Sequence, residues 1–199
     1  MLAAAAELIV ERGLDGTSLR SVGQRAGVSR AMPGYHFGSK DGLIERLARR
    51  GHERTLDAAL GALATADRDA LALTSLEALR VMIESFLDVV LRGEAPEERA
   101  VVVLWGATFP AASRLDAMLE SDRETHGLLA DQIRAGHGDG SIRSDLDPDA
   151  AALMVMGLAR GAAALAFTHP DLADTARIGA TCGEAIVAAL TPRPEAAPG

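Results

Sequence analysis

Apolar residues recur at helical spacing along almost the whole chain. In Leu2–Arg12, the positions Leu2, Ala5, Ala6 and Ile9 share one face, and Gly13 ends the run. Thr17 is placed to cap a second helix, Ser18–Arg25, with Leu19, Val22 and Ala26 turned inward. Gly27 supplies a tight turn, and Ser29 is placed to cap a short third helix ending near Phe37. Neither Thr17 nor Ser29 has a Glu three residues on, so plain caps are expected. Ser39 caps a long fourth helix, expected to reach about Ala64 on Leu43, Leu47, Leu56, Leu60 and Leu63.

Five further helices follow from the same periodicity. Ala70–Leu91 carries the stripe Leu76, Leu79, Ile83, Phe86 and Val90, and Glu97–Phe109 is short and very apolar. Ala111–Ala135 aligns Leu115, Met118, Leu129 and Ile133, and the segment from His137 to Pro148 reads as a loop. Asp147 caps and Pro148 begins a helix to about Thr168, and Asp171–Leu190 closes the series. Alternating β-branched runs are absent from the sequence. The pattern predicts an all-α fold of about nine helices: a three-helix N-terminal head over residues 1–46, a helical body over 47–190, and a disordered tail, 191–199.

Composition agrees, with 48% hydrophobic residues and 3% aromatics. The formal net charge of −8 conceals an uneven distribution. Residues 1–50 hold eight Lys/Arg against five Asp/Glu, whereas the remainder holds twelve against twenty-three. A basic head on an acidic body matters because a polyanion responds to the local field, not to the total. The single cysteine, Cys182, excludes an intrachain disulfide and lies on an apolar helix stripe. The N-terminus lacks a signal peptide's basic start, and the uncharged run Ala100–Ser113 is too short to span a bilayer, so a soluble cytoplasmic protein without membrane attachment is expected.

The chemistry concentrates between Thr17 and Leu43. A helix-turn-helix needs a supporting helix, a glycine-permissive turn and a second helix whose start carries small or polar side chains for the major groove. Leu19–Ala26, Gly27 and Ser29–Phe37 fit that description. Arg30 is placed to reach a guanine edge or a phosphate, and Ala31 and Met32 offer apolar contact to thymine methyls. Tyr35 and His36 are candidate phosphate donors, and Gly34 lies between them and the helix start. Thr17, Ser18 and Arg20 on the second helix, Ser29 at the third, and Lys40 on the fourth complete the candidate DNA contacts.

The longer string TSLRSVGQRAGVSRAMPGYHFGSKDGL, preceded by Glu11-Arg12-Gly13, resembles the N-terminal domain of the TetR family of transcriptional regulators. The likeness covers about residues 2–47 and is carried by Thr17, Leu19, Val22, Ala26-Gly27-Val28-Ser29, Tyr35-His36-Phe37, Ser39-Lys40 and Leu43. Family members usually carry basic residues ahead of the first helix, and here Leu2 already belongs to it. They also commonly have a Leu/Ile-Tyr pair at the place of Pro33-Gly34, so a shortened or bent recognition helix is expected.

The resemblance implies a homodimer on palindromic, double-stranded operator DNA, released by a small organic effector, and a usual role as repressor. Half-sites would lie ~34–36 Å apart or a multiple of that. Independent support is thinner. Gly157, Gly161 and Ala164 form a small-residue stripe, and Ile178, Cys182 and Ile186 a partner stripe, for a four-helix dimer interface. Met82, Phe86, Trp105, Phe109, Met118 and Met154 are candidate walls of a pocket for an apolar or weakly polar effector, with His126 as its polar anchor. Effector binding would favour one tilt of the fourth helix and so reset the separation of the two heads. No phosphate-cradling glycine loop, GxSxG elbow or HExxH pair is present and the histidines are scattered, so no enzyme, metal or cofactor is expected. The alternative reading is a helical ligand-binding dimer with weak or lost DNA binding.

Overall fold

The computed structural model describes residues 1–69, 73–108, 116–172 and 174–193. Among them are nine α-helices and no strand: α1 (Leu2–Arg12), α2 (Leu19–Arg25), α3 (Met32–Phe37), α4 (Lys40–Asp69), α5 (Ser75–Arg92), α6 (Pro96–Thr108), α7 (Asp116–Asp139), α8 (Pro148–Thr168) and α9 (Thr175–Leu190). The order matches the periodicity, and the departures lie at the ends. α5 starts at Ser75, not Ala70, because Thr74 and Glu77 close a reciprocal box: the Thr74 hydroxyl accepts from the Glu77 amide, and the Glu77 carboxylate accepts from the Thr74 amide. α7 continues past Ala135 to Asp139 and stops at Gly140, whose φ of 76° is open to glycine. α9 starts at Thr175 because the Asp174 side chain accepts from the Ala176 amide.

The contacts divide the chain into two units. The first comprises residues 1–57 and 89–123. α1 is apolar on two sides. Ala5 and Leu8 join Val22 of α2, Phe37 of α3 and Leu43 of α4 in one buried cluster. Ala6 and Ile9 join Ile44, Leu47 and Ala48 of α4, Ala100 and Leu104 of α6, and Met118 of α7 in another. Close approach of α4 to α6 depends on Gly51, where a Cβ would collide with the Val101 side chain. Next to it, Glu98 is only 4% exposed. Its Oε1 accepts from Arg54 Nε at 2.9 Å and Nη2 at 2.7 Å, and its Oε2 from the Ala95 amide at 3.1 Å. The carboxylate thus both caps α6 and ties it to α4.

The second unit comprises residues 58–88 and 124–199. Its buried side chains include Leu79, Ile83 and Leu87 of α5, Leu129 and Ile133 of α7, Ala152, Val155, Ala159 and Ala163 of α8, and Cys182, Ile186 and Leu190 of α9. Asp139 closes its loop end: its carboxylate accepts from the Ser75 amide at 2.9 Å and the Ser141 amide at 2.8 Å. Hydrogen bonding from the Ser141 and Ser75 side chains first, and from the two amides after them, holds the carboxyl well below its ordinary value. α8 begins as expected, with Asp147 accepting from the Ala150 amide and Pro148 in the first turn. By length and mean hydropathy (1.7) α8 would suffice to cross a membrane, and 39% of that stretch is buried within the chain. Arg160 interrupts the stretch, so it does not stand out as an uncharged run.

Candidate nucleic-acid interface

The head is assembled from local rules. Ser18, not Thr17, caps α2: its hydroxyl accepts from the Ser21 amide at 3.1 Å, and Ser21 Oγ accepts from the Ser18 amide at 3.0 Å. Serine here does the reciprocal work usually given to Glu. Thr17 is instead 2% exposed, and its hydroxyl donates to the Gly13 carbonyl at 2.9 Å. The expectation that Thr17 offers a hydroxyl to phosphate is therefore corrected, because that group is buried and already spent. Arg25 Nη1 donates to Glu7 and both its terminal nitrogens donate to Glu11, which clamps α2 onto α1. The Arg25 guanidinium holds the Glu11 carboxyl below its usual range, and Glu11 and Glu7 raise that of Arg25.

The turn between α2 and α3 uses Gly27 at φ 68°, and the Val28 amide donates to the Gly23 carbonyl. Gly23 sits at a close approach: a Cβ there would stand 3.1 Å from the Ser29 carbonyl oxygen and 3.2 Å from the Pro33 ring, tighter than an ordinary contact. α3 has six residues, beginning at Met32. Ser29 does not cap it by its side chain; the Ser29 carbonyl accepts from the Met32 amide in a turn just ahead of the helix. Pro33 therefore sits in the first turn, where its missing N–H has no intrahelical partner to lose. The short recognition helix is thus the one the Pro33-Gly34 pair implied.

Around it the side chains stand open. Tyr35 is 92% exposed, and Ser29, Arg30, Ala31, Met32 and His36 are exposed beside it. Ser18 and Arg20 are exposed on α2, while Gly34 and Lys40 are half-buried. A Cβ on Gly34 would meet nothing within 4 Å. α4 is capped by Ser39 Oγ, which accepts from the Gly42 amide. His36 packs edge-on against Phe37, with ring centroids 4.6 Å apart. Arg46 lies over the Phe37 ring at 5.8 Å and brings Nη1 to 3.5 Å from His36 Nε2. Beyond it, Leu2, Phe37, Gly42, Glu45, Arg46, Arg49, Arg50 and Glu53 line an open groove of about 500 Å³. Arg46, Arg49 and Arg50 were missed in the sequence, because the motif ends before them and their helix was read for its apolar face alone.

A profile of the bacterial regulatory proteins, tetR family, matches residues 1–47. The head of this chain is thus similar to the N-terminal domain of the TetR family. That head is 51% identical over 41 residues to HTH-type transcriptional regulator BetI of Burkholderia thailandensis, a match covering 21% of each chain. The chain thus aligns with about a fifth of the length of the curated relatives it matches. Solved structures extend the likeness in fold to the rest of the chain. The fatty acid degradation regulator FadR from Bacillus halodurans superposes with a TM-score of 0.76 at 15% identity, over 95% of this chain and 97% of that one. The TetR family transcriptional regulator PfmR from Thermus thermophilus gives 0.71 at 20% identity, over 94% and 96%. The fold of those structures, a helix-turn-helix head with a helical C-terminal region, is therefore shared by this chain.

The expected body sites fare differently. Trp105 and Met118 belong to the first unit, where Met118 is buried in the cluster with Ile9 and Leu104 and Trp105 packs against it. Met82, Phe86 and His126 belong to the second unit and are half-buried, with a His126 ring nitrogen 3.0 Å from the Asp149 carbonyl oxygen. Met154 is exposed on α8, and Phe109 lies outside the described residues. Met118 and Met154 are thus withdrawn as pocket walls, one spent on core packing and the other facing out. Of the expected interface, Gly157 and Gly161 are exposed and Ala164 and Ile178 half-buried. Cys182 and Ile186 are buried in the chain's own core, so they cannot meet a partner, and burial raises the Cys182 thiol's pKa.

Proposed function

We propose that the protein is a DNA-binding transcriptional regulator whose head docks in the major groove through α3 and the turn before it. The observation that carries this reading is Tyr35, a large side chain left 92% exposed beside exposed Arg30, Met32 and His36, on a head matched to tetR-family regulators. Tyr is enriched at interfaces, where its ring gives apolar contact and its hydroxyl a hydrogen bond. The test is selection of bound duplexes from a random pool, followed by affinity measurements with Tyr35→Phe and Arg30→Ala. Loss of affinity is expected in at least one variant, and unchanged binding in both refutes the assignment.

Two-fold pairing is part of the same reading. Leu153, Met154, Leu158 and Leu165 are exposed on α8, and Gly157 and Gly161 on the same face carry open space at their Cβ positions. Such a stripe suits close packing of α8 against its copy, with a palindromic operator as the consequence. This corrected surface replaces Cys182 and Ile186. Repression, and release by a small organic effector held near Met82, Phe86 and His126, complete the proposal. Differential binding of that effector to two arrangements of the head is the physical requirement.

A further inference from the structure

We propose that the groove on α4 is a second phosphate-binding strip, which grips the DNA backbone beside the recognition helix. The inference rests on the reading of the head as a DNA-binding unit and extends its footprint to Arg46, Arg49 and Arg50. Three features support it. The groove adjoins α3, since Phe37 lines it and Arg46 Nη1 reaches to 3.5 Å from His36 Nε2. Its positive charges are poorly neutralised. Among the described residues Arg46 contacts a histidine and an aromatic face and no carboxylate, and Arg49 has no hydrogen-bond or ion-pair partner. Arg50 meets Glu53 only at 3.5 Å, with both side chains half in solvent. Such an exposed pair is worth little and yields readily to a competing anion.

Spacing and field point the same way. The three arginines span five residues of helix, ~6 Å of rise, while each DNA strand carries one charge per ~3.4 Å of axis. Guanidinium groups so placed reach neighbouring phosphates, to which they bind bidentately. The rest of the chain beyond residue 50 is strongly acidic, so a polyanion is admitted at this end. Glu45, at the groove edge, limits the strength of the contact.

The test is a salt series on a mixed-sequence duplex, whose binding is carried by phosphate contacts and needs no known operator. Arg46→Gln/Arg49→Gln is compared with the unmodified protein, and with Arg12→Gln, an exposed arginine outside the groove. The slope of log affinity against log salt is expected to fall by ~0.9 per arginine for each protomer bound; two such contacts amount to about 60-fold in affinity at 0.1 M salt. Arg49→Gln alone, which removes no contact within the protein, is expected to give half the change in slope. An unchanged slope, or an equal change in Arg12→Gln, overturns the groove while the head's function stands. Failure of the unmodified protein to bind any duplex overturns both.

Discussion

Arg54→Met removes the only charged partner that the buried carboxylate of Glu98 has among the described residues. The perturbation is clean, because Met keeps most of the aliphatic stem of Arg54 and therefore most of its packing. Oε1 loses two charge-assisted donors, at 2.9 and 2.7 Å, while Oε2 retains the Ala95 amide. Breaking a fully buried pair from one side costs about 3–5 kcal/mol. Arg54 is itself 36% exposed, so water can reach part of the vacated space, and ~2–3 kcal/mol is the reasoned cost here. Glu98→Gln offers an internal check. The carboxylate accepts on both oxygens, whereas an amide accepts on one, so either orientation sets an N–H against an N–H. It should cost a similar amount, and the double variant Arg54→Met/Glu98→Met should recover much of the loss. Urea unfolding of the unmodified protein, Arg54→Met, Glu98→Met and their double variant, combined as a double-mutant cycle, supplies the coupling energy. A cost below ~0.5 kcal/mol for Arg54→Met, as for an ordinary surface pair, would refute the reasoning.

Three further outcomes are expected. Gly51→Ala should destabilise by about 1–3 kcal/mol in the same unfolding assay, because a Cβ collides with Val101; the gain in helix propensity, ~1 kcal/mol, does not offset it. Asp139→Asn should lower stability at neutral pH, and the gap should close on acidification. A carboxyl held below its ordinary value contributes fully above the unfolded-state range, and that contribution is lost as pH falls through the lowered value, which melting curves across an acid series will follow. Leu165→Glu, at a position 62% exposed on α8, should leave the fold intact by circular dichroism and convert a dimer to monomer in sedimentation; a persisting dimer would remove α8 from the proposed pairing.

Much of the fold was legible because strong local signals and apolar period agreed. Asp147-Pro148 fixed the start of α8, and Gly13 and Gly27 fixed the turns of the head, each at positive φ. Legibility failed where a cap competed with a stripe. The Thr74–Glu77 box was present in the sequence, yet the apolar period drew the start of α5 back to Ala70. The Ser18–Ser21 box was invisible because two serines replaced the usual Ser–Glu pair. Periodicity also shows that a helix has an apolar face without showing what covers it. Hence Cys182 and Ile186 were read as outward and are core, Met154 was read as inward and is exposed, and Met118 was read as cavity and is filled space. The arginines beyond the motif were legible as residues, but only the position of His36 and Phe37 beside them makes them one surface.

The two-sided apolar character of α1 limits how this protein can be taken apart. A cut after residue 46, the natural place to excise the head for transplant onto another regulator, would strip Ala6, Ile9 and Ile44 of the Ala100 and Leu104 that cover them. A chimera joined there inherits an uncovered oily seam. A portable version of this reader must instead carry α6 with it, or recolour that seam with polar residues.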